Sequence, residues 1–434
     1  MLAACPFPAN HGTPGSIREM AEAVVAEGHE VHVVTYHIGE NVPIHGPKLH
    51  RIPPLTREST VVVGPTTRRP LYDLQMVFKA IQVVGRHRPD LIHAHGYEAA
   101  LVAAVCRLAT GLPVVYSGHN TMGDELASYD FIRPQWAATA LAKLLDAVVP
   151  RLGNRCIPHS SNLRHFFHRL GLRGRTEPIV SFGIDLDWIR QGDGTGLRER
   201  HGLGSGPVIL YTGVLDRFQR LDLLLEAVAQ LRASEASAKL LLVSTVPHAG
   251  HAADLRRHAQ GLGIAGSVVL TDPQPIEAVR DFLQIGDVAV VPRPRAPGFP
   301  IKLLNYLAAG RPCVLFASSA SQGLRHRHNV YLAAPDTSTG LAQGLLEVLR
   351  DDALRRRLAG NGYQFVHQHH DRGLMAQKIC ASYFRTLAAA GRLAAVLKRQ
   401  PVSPRMPRPH PVEAGAGTGM RCGYQKGTPQ WLTS

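Results

Sequence analysis

Two runs of short apolar strands alternate with amphipathic helices along this chain, and that alternation restricts its fold more than any other feature. The first run starts with a strand stub, Leu2 to Cys5, and a Gly/Pro loop, Pro6 to Gly15. An amphipathic helix ending at Gly28 and a strand from Val31 to Thr35 follow. The pattern continues through a helix around Leu74 to Val84, the strand Asp90 to His95, a helix from Ala99 to Ala109 and a strand from Pro113 to Ser117. The opening stub is short for a strand of this kind, as if the sequence begins inside it. A second run carries strands at Val208 to Gly213, Leu240 to Thr245, Ser267 to Asp272 and Asp287 to Pro292, with a helix from Leu221 to Leu231. After Val330 the chain reads as helical, over Leu341 to Arg350, Asp352 to Ala359 and Asp371 to Leu387. Strand, helix and strand in succession close into a right-handed parallel unit, so each run specifies a doubly wound sheet and the fold class is α/β. The glycine-flanked LRGRT segment marks the boundary, giving domains 1–175 and 176–370, a helix over 371–392 and a basic, Pro/Gly-rich tail over 393–434 that is non-periodic and disordered from Lys398.

Charge narrows the partners. The chain has 48 Lys and Arg against 33 Asp and Glu, a net +15 with histidine neutral, which favours phosphorylated substrates and anionic lipid surfaces. No zinc finger, basic zipper or aromatic RNA-binding motif appears, so nucleic acid is not an expected partner. The six cysteines are scattered without a CxxC pair or metal-ligand spacing, as buried thiols of a cytoplasmic protein are. With no secretory leader and no membrane-spanning apolar run, the expectation is a cytoplasmic chain, soluble or peripheral at the inner face of the membrane. Asp124 to Pro150 sets Tyr129, Phe131 and Trp136 beside Arg133 and Lys143, a region that either touches a membrane or apolar acceptor or packs on its own domain.

Chemistry is expected at the carboxyl ends of the strands. Three loops fall there: His11 to Gly15, Ser117 to Asn120 and Pro292 to Pro300. The last leads into PGFPIKLLNYLAAGRPCV, where Ile301, Leu304 and Ala308 line one helical face and Gly310 and Pro312 end the helix. Lys302 sits in the first turn, where its charge opposes the helix dipole, so it reads as facing an anion. Free N–H groups at the helix start and that lysine suit a diphosphate cradle; the alternative on this stretch alone is an ordinary strand, helix, strand unit with a solvated lysine. No metal constellation is expected: Asp185-Leu186-Asp187 reads as a cap or turn, and His367, His369 and His370 as solvated.

In order along the chain, the Gly loop followed by RExxEAxxxxGHEVxVxT, the DLIHAH strand, the VVYxxH loop, the IVxxGID linker and PGFPIKLLNYLAAGRP resemble the retaining GT-B glycosyltransferases of family four, over roughly Met1 to Leu387. The resemblance implies two Rossmann-like domains facing a cleft, a C-terminal helix crossing back to the N-terminal domain, and transfer of a sugar from a nucleotide-sugar with its configuration retained. It needs no metal or other cofactor. The acceptor would be a glycan or lipid-linked molecule in envelope polysaccharide or glycolipid assembly. Gly12 matches the glycine whose backbone closes on the transferred sugar, and His119 the histidine beside that sugar, so the two are the expected catalytic positions. The family's Arg/Lys pair for the leaving diphosphate is missing: in GVLDRFQR, Val214 and Gln219 stand in those places. Arg217, Arg220, Arg293, Arg295 and Lys302 are the alternative cations. The two glutamates often found eight positions apart are replaced by Pro297 and Asn305; Asn305 retains hydrogen-bonding capacity toward a ribose. Gly213, the backbone of Gly298 and Phe299, and Pro300 complete the donor site. The main alternative is a catalytically silent GT-B protein that binds a nucleotide-sugar or a partner; a sugar-nucleotide epimerase would need cleft carboxylates that the motifs do not supply.

Overall fold

The computed structural model describes residues 1–9, 12–40, 42–54, 68–123, 135–246, 249–294, 300–321 and 323–399. The first run forms a six-stranded parallel sheet of order β3-β2-β1-β4-β5-β6, from β1 (Leu2–Ala3), β2 (His32–Thr35), β3 (Lys48–Arg51), β4 (Ile92–His95), β5 (Val114–Gly118) and β6 (Arg155–Pro158). The second forms a sheet of order β12-β11-β10-β7-β8-β9, from β7 (Val208–Gly213), β8 (Lys239–Ser244), β9 (Val268–Leu270), β10 (Val288–Val291), β11 (Cys313–Phe316) and β12 (Tyr331–Ala333). Strand order reverses between β1 and β4 in one sheet and between β7 and β10 in the other, and such switch points are where doubly wound folds leave a crevice. β1 holds an inner position although two residues long: Leu2 pairs with Val34 and Ala94, and Ala3 with Thr35 and His95.

The helices of the first half are α1 (Gly12–Ala26), α2 (Arg69–His87), α3 (Tyr97–Thr110), α4 (Gln135–Val148) and α5 (Ser161–Arg169). The linker carries α6 (Leu186–Arg190) and α7 (Leu197–Arg200). The second half adds α8 (Leu221–Leu231), α9 (Ala249–Gly261), α10 (Ile276–Phe282), α11 (Ile301–Ala308), α12 (Ser338–Arg350), α13 (Asp352–His369), α14 (Arg372–Ala389) and α15 (Leu393–Arg399). Right-handed crossovers place α2, α3 and α4 on one face of the first sheet, where Met76, Val102 and Ala142 share a core, and α1 on the other, packed against α14.

Several expectations from sequence are corrected. The segment Pro6 to Gly15 is not all loop: α1 begins at Gly12, because Pro14 in a first turn sacrifices no helical bond and Ser16 Oγ donates to Gly12 O at 3.1 Å. The chain after Val330 is not wholly helical, since Tyr331–Ala333 pairs with β11 as an edge strand. α13 continues beyond Ala359 to His369; a Cβ on its Gly362 would lie 2.7 Å from Leu307 Cδ2, so the glycine lets α13 sit close on α11. α15 occupies the start of the stretch 393–434 read as tail, and residues 400–434 lie outside the described residues. His370 is buried rather than solvated, with its Nδ1 3.0 Å from Phe182 O, whereas His367 and His369 are exposed.

Two chain crossings run side by side between the sheets. Ile184 N donates to His370 O at 2.8 Å, and a Cβ on Gly183 would lie 2.9 Å from Arg372 Cα. Arg372, at the start of α14, reaches Glu22 of α1 at 2.9 Å and Asp185 of the linker at 3.1 Å. Farther along α14, Tyr383 OH lies 2.7 Å from His93 Nδ1.

Candidate functional site

The carboxyl ends of β7 and β10 supply a compact cationic site. β7 ends at Gly213 with φ +131°, a conformation that favours glycine, and a Cβ there would stand 2.9 Å from Lys302 Nζ and displace the tip of the lysine. Lys302 rises from the first turn of α11, donating to Tyr211 OH at 2.6 Å and to Gln219 Oε1 at 3.0 Å while lying over the Tyr211 ring at 3.9 Å. Tyr211 OH in turn donates to Val214 O at 2.7 Å. Burial, and then the charge of Arg293, lower the Lys302 pKa to about 7. Arg293 follows β10; its guanidinium covers the Phe218 ring at 4.2 Å, and its buried Nε has no hydrogen-bond partner. Burial lowers the Arg293 pKa as well. Arg293 and Lys302 thus bring two positive charges to the ends of these strands, where each disfavours the other's charged form and an anion would offset both. Gln219 occupies the sequence position of the family's lysine, and the lysine that reaches it here comes from α11.

Not every expected donor residue joins this group. Arg220 is committed to Asp222, with bonds of 3.0 and 2.9 Å, and with Arg217 it borders a separate depression beside α9. Pro300, buried, precedes α11, and its carbonyl accepts from Leu303 N at 2.9 Å. Asn305, one turn further, lines a cavity of about 250 Å³ that also contains Gly12, Glu22, Asp185 and Arg372. Gly12 opens α1 with φ +45°. Arg295, Pro297, Gly298 and Phe299 lie outside the described residues. Asp185 caps α6, accepting from Trp188 N at 2.9 Å, as its reading as a cap requires.

Facing the other switch point is a group of buried imidazoles. His93 and His95 belong to β4, His119 follows β5, and His159 follows β6. Successive ring centroids lie 4.0 Å apart for His93 and His95, 5.7 Å for His95 and His119, and 5.0 Å for His119 and His159. Burial holds all four below the usual histidine pKa, His159 at about 4, so each ring is neutral at neutral pH. His93 is satisfied by Tyr383 and Ser117, and His159 Nδ1 by Val180 O at 2.8 Å. Both nitrogens of His95, and Nε2 of His119 and of His159, are buried without hydrogen-bond partners. Unsatisfied polar atoms in such numbers are unusual in a folded core and mark a place where a hydroxyl-rich ligand would supply the missing bonds. Sequence reading found His119 alone; the signal for His95 and His159 was a histidine at or just after the end of three neighbouring strands.

Two doubly wound domains, with paired cations at one switch point and neutral imidazoles at the other, define the GT-B architecture of sugar transferases. Model matches agree: Glycosyltransferase Family 4 covers residues 12–188, and Glycosyl transferases group 1 covers 206–351. The chain belongs to the family 4 glycosyltransferases of GT-B fold. It is 28% identical over 253 residues to a D-inositol 3-phosphate glycosyltransferase of Geodermatophilus obscurus, covering 55% of this chain and 54% of that protein. The matched region thus spans about half the length of that relative. Sucrose-phosphate synthase from Thermosynechococcus elongatus shares the fold with TM-score 0.74 at 19% identity, over 89% of this chain and 98% of that one. Anabaena HepE, solved in complex with UDP-glucose, superposes with TM-score 0.66 at 18% identity, over 89% and 98% of the two chains.

Proposed function

We propose that this chain is a retaining glycosyltransferase that moves a sugar from a nucleotide-sugar to a glycan or lipid-linked acceptor without a metal ion. The observation that carries the reading is the pairing of Lys302 with Arg293 at the amino end of α11, against the glycine end of β7. In the reaction the bond between the anomeric carbon and the diphosphate oxygen breaks, the acceptor oxygen bonds that carbon, and the acceptor proton passes to the departing phosphate. Fixed cations favour the leaving diphosphate as charge accumulates on it. The neutral imidazoles of His95, His119 and His159 suit sugar hydroxyls, with His119 and Gly12 closest in role to the reacting carbon. Likeness to a D-inositol 3-phosphate glycosyltransferase and to HepE, solved in complex with UDP-glucose, supports a nucleotide-sugar donor.

His119→Ala is expected to reduce transfer at least tenfold while nucleoside diphosphate binding persists. Nucleotide release from UDP- and GDP-sugars with an acceptor panel, read beside a thermal-shift titration, tests this. Bound nucleotide without transfer to any competent acceptor would instead support the silent reading, which the missing pair at Val214 and Gln219 favours.

The acceptor side carries an unusual surface. Phe78 of α2, Leu108 of α3 and Trp136 of α4 are 67%, 85% and 73% exposed, and Leu71, Leu74, Leu101 and Leu144 are exposed on the same helices. The carboxylates of these helices are engaged: Asp73 by Tyr36, Glu98 by Arg69, and Asp146 by Tyr97. Arg86 and Lys143 remain exposed. An apolar face with available cations suits an anionic bilayer at the inner face of the membrane, where a lipid-linked acceptor of envelope assembly would reside. No described helix is long and apolar enough to cross a membrane. Combined Phe78→Ser, Leu108→Ser and Trp136→Ser substitutions are expected to weaken binding to phosphatidylglycerol vesicles more than tenfold, because each apolar side chain contributes roughly 1.5–3 kcal/mol when fully buried. Unchanged co-sedimentation would refute the membrane reading.

A further inference from the structure

At the opposite side of the first domain, away from β1 and β4's carboxyl ends, the fold gathers three histidines that no sequence spacing connects. His32 opens β2, His50 lies in β3, and His87 is the last residue of α2. The parallel register sets His32 beside Lys48 and Val34 beside His50, so His32 and His50 stand two positions apart on one face of the sheet. α2 packs over β2 and β3 and delivers His87 to the same place. His32 Nδ1 lies 2.8 Å from His50 Nε2, and the ring centroids of His32 and His87 are 4.1 Å apart. One ring nitrogen from each histidine lies within 4.8 Å of the other two.

A zinc-class ion with metal–nitrogen bonds of about 2.0–2.1 Å at tetrahedral angles separates its ligand nitrogens by roughly 3.4 Å. The separations in the cluster, 2.8 Å between His32 and His50 and up to 4.8 Å overall, bracket that spacing, and His87 is exposed at a helix end. The remaining nitrogen of His32 supplies a second argument. Its Nε2 lies 3.0 Å from Glu30 Oε1, and a carboxylate on the outer nitrogen fixes the tautomer that leaves Nδ1 as a ligand. Three imidazoles and no oxygen-rich cage favour late first-row divalent metals over magnesium or calcium.

The geometry points to a divalent transition-metal site of the zinc class formed by His32, His50 and His87, with Glu30 orienting His32. An ion there joins the edge strand β3 and the end of α2 to β2, closing the chain between His50 and His87. The cluster is separate from the cations after β10 and on α11, so its role is to stabilise the amino-terminal domain rather than to take part in transfer.

Tag-free, chelator-stripped full-length protein titrated with zinc chloride against a colorimetric chelator is expected to bind one ion per chain and to melt at a higher temperature with zinc. Magnesium chloride should not reproduce the shift. Cobalt(II) should give the intense visible absorption of a tetrahedral site. His50→Gln and His87→Gln should each lower zinc affinity at least tenfold and abolish the melting shift, with circular dichroism confirming their fold. Glu30→Gln, which alters an exposed side chain, should weaken binding by about tenfold, the usual consequence of losing an outer-shell partner. His367→Gln, on α13, should leave binding unchanged. Zinc affinity unaltered in both ligand variants, an equal response to magnesium, or no zinc binding by the folded protein would overturn the proposal.

Discussion

Lys302→Ala is expected to weaken UDP or GDP binding by about 10- to 100-fold, as measured by calorimetry, while leaving binding of the corresponding nucleoside unchanged. A hydrogen bond to a charged group contributes about 1.5–3 kcal/mol, and 1.4 kcal/mol is tenfold in affinity. Tyr211 retains its bond to Val214 O in the variant, so the fold should survive. The pH dependence is a second signature. Burial and Arg293 hold Lys302 near pH 7 in the free protein. A diphosphate binds the protonated lysine, so affinity should be steady below about pH 7 and decline above it as the free protein loses that proton. Binding at pH 8 should therefore take up a proton from the buffer, and Lys302→Ala should lose both the slope and the uptake. Equal diphosphate affinity in the two proteins would remove Lys302 from the donor site.

The same residues show how much the sequence revealed. Alternation of strands and helices was enough for two parallel sheets, because the period of two in strands and the longer helical period are local properties of the chain. Short edge elements were not visible: β3, β6 and β12 have three or four residues each and draw their pairing from the neighbouring strand rather than from their own composition. At the site, Lys302 was readable as a cation at a helix start, but its contact with Gln219 joins residues 83 positions apart and depends on Gly213 having no side chain. The missing pair at Val214 and Gln219 left five alternative cations for the diphosphate, with Lys302 the one already read as facing an anion. In the fold, Lys302 and Arg293 place charge at the same strand ends from later in the chain. Arg217 and Arg220 were equally plausible by spacing, but Arg220 is held by the Asp222 ion pair and both border a separate depression.

The double substitution Arg155→Ala with Arg385→Ala should destabilise the protein by about 3–5 kcal/mol, the usual cost of leaving a buried charge without its partner. Glu177 is 1% exposed, and its two oxygens are divided between Arg155 Nη1 at 3.0 Å and Arg385 Nε at 2.9 Å. The arginines are each about a quarter exposed and reach water if the glutamate is removed. The site is therefore asymmetric. Glu177→Gln keeps an acceptor and lets both arginines hydrate, so its cost should be only about 1–3 kcal/mol. Each single arginine variant leaves one partner in place and should fall below the double variant by more than simple addition allows, since the two share one carboxylate. Urea denaturation followed by circular dichroism would rank the four proteins. If Glu177→Gln proved the most damaging, the arginines rather than the carboxylate would be the charges that cannot reach water. Because Arg385 lies on α14 and Arg155 on β6, the same ranking measures how firmly the returning helix is held to the first domain. Tyr383, two residues before Arg385, is bonded to His93 in the imidazole row. Loosening α14 should therefore lower transfer before it lowers nucleotide affinity, whose determinants lie on β7, β10 and α11.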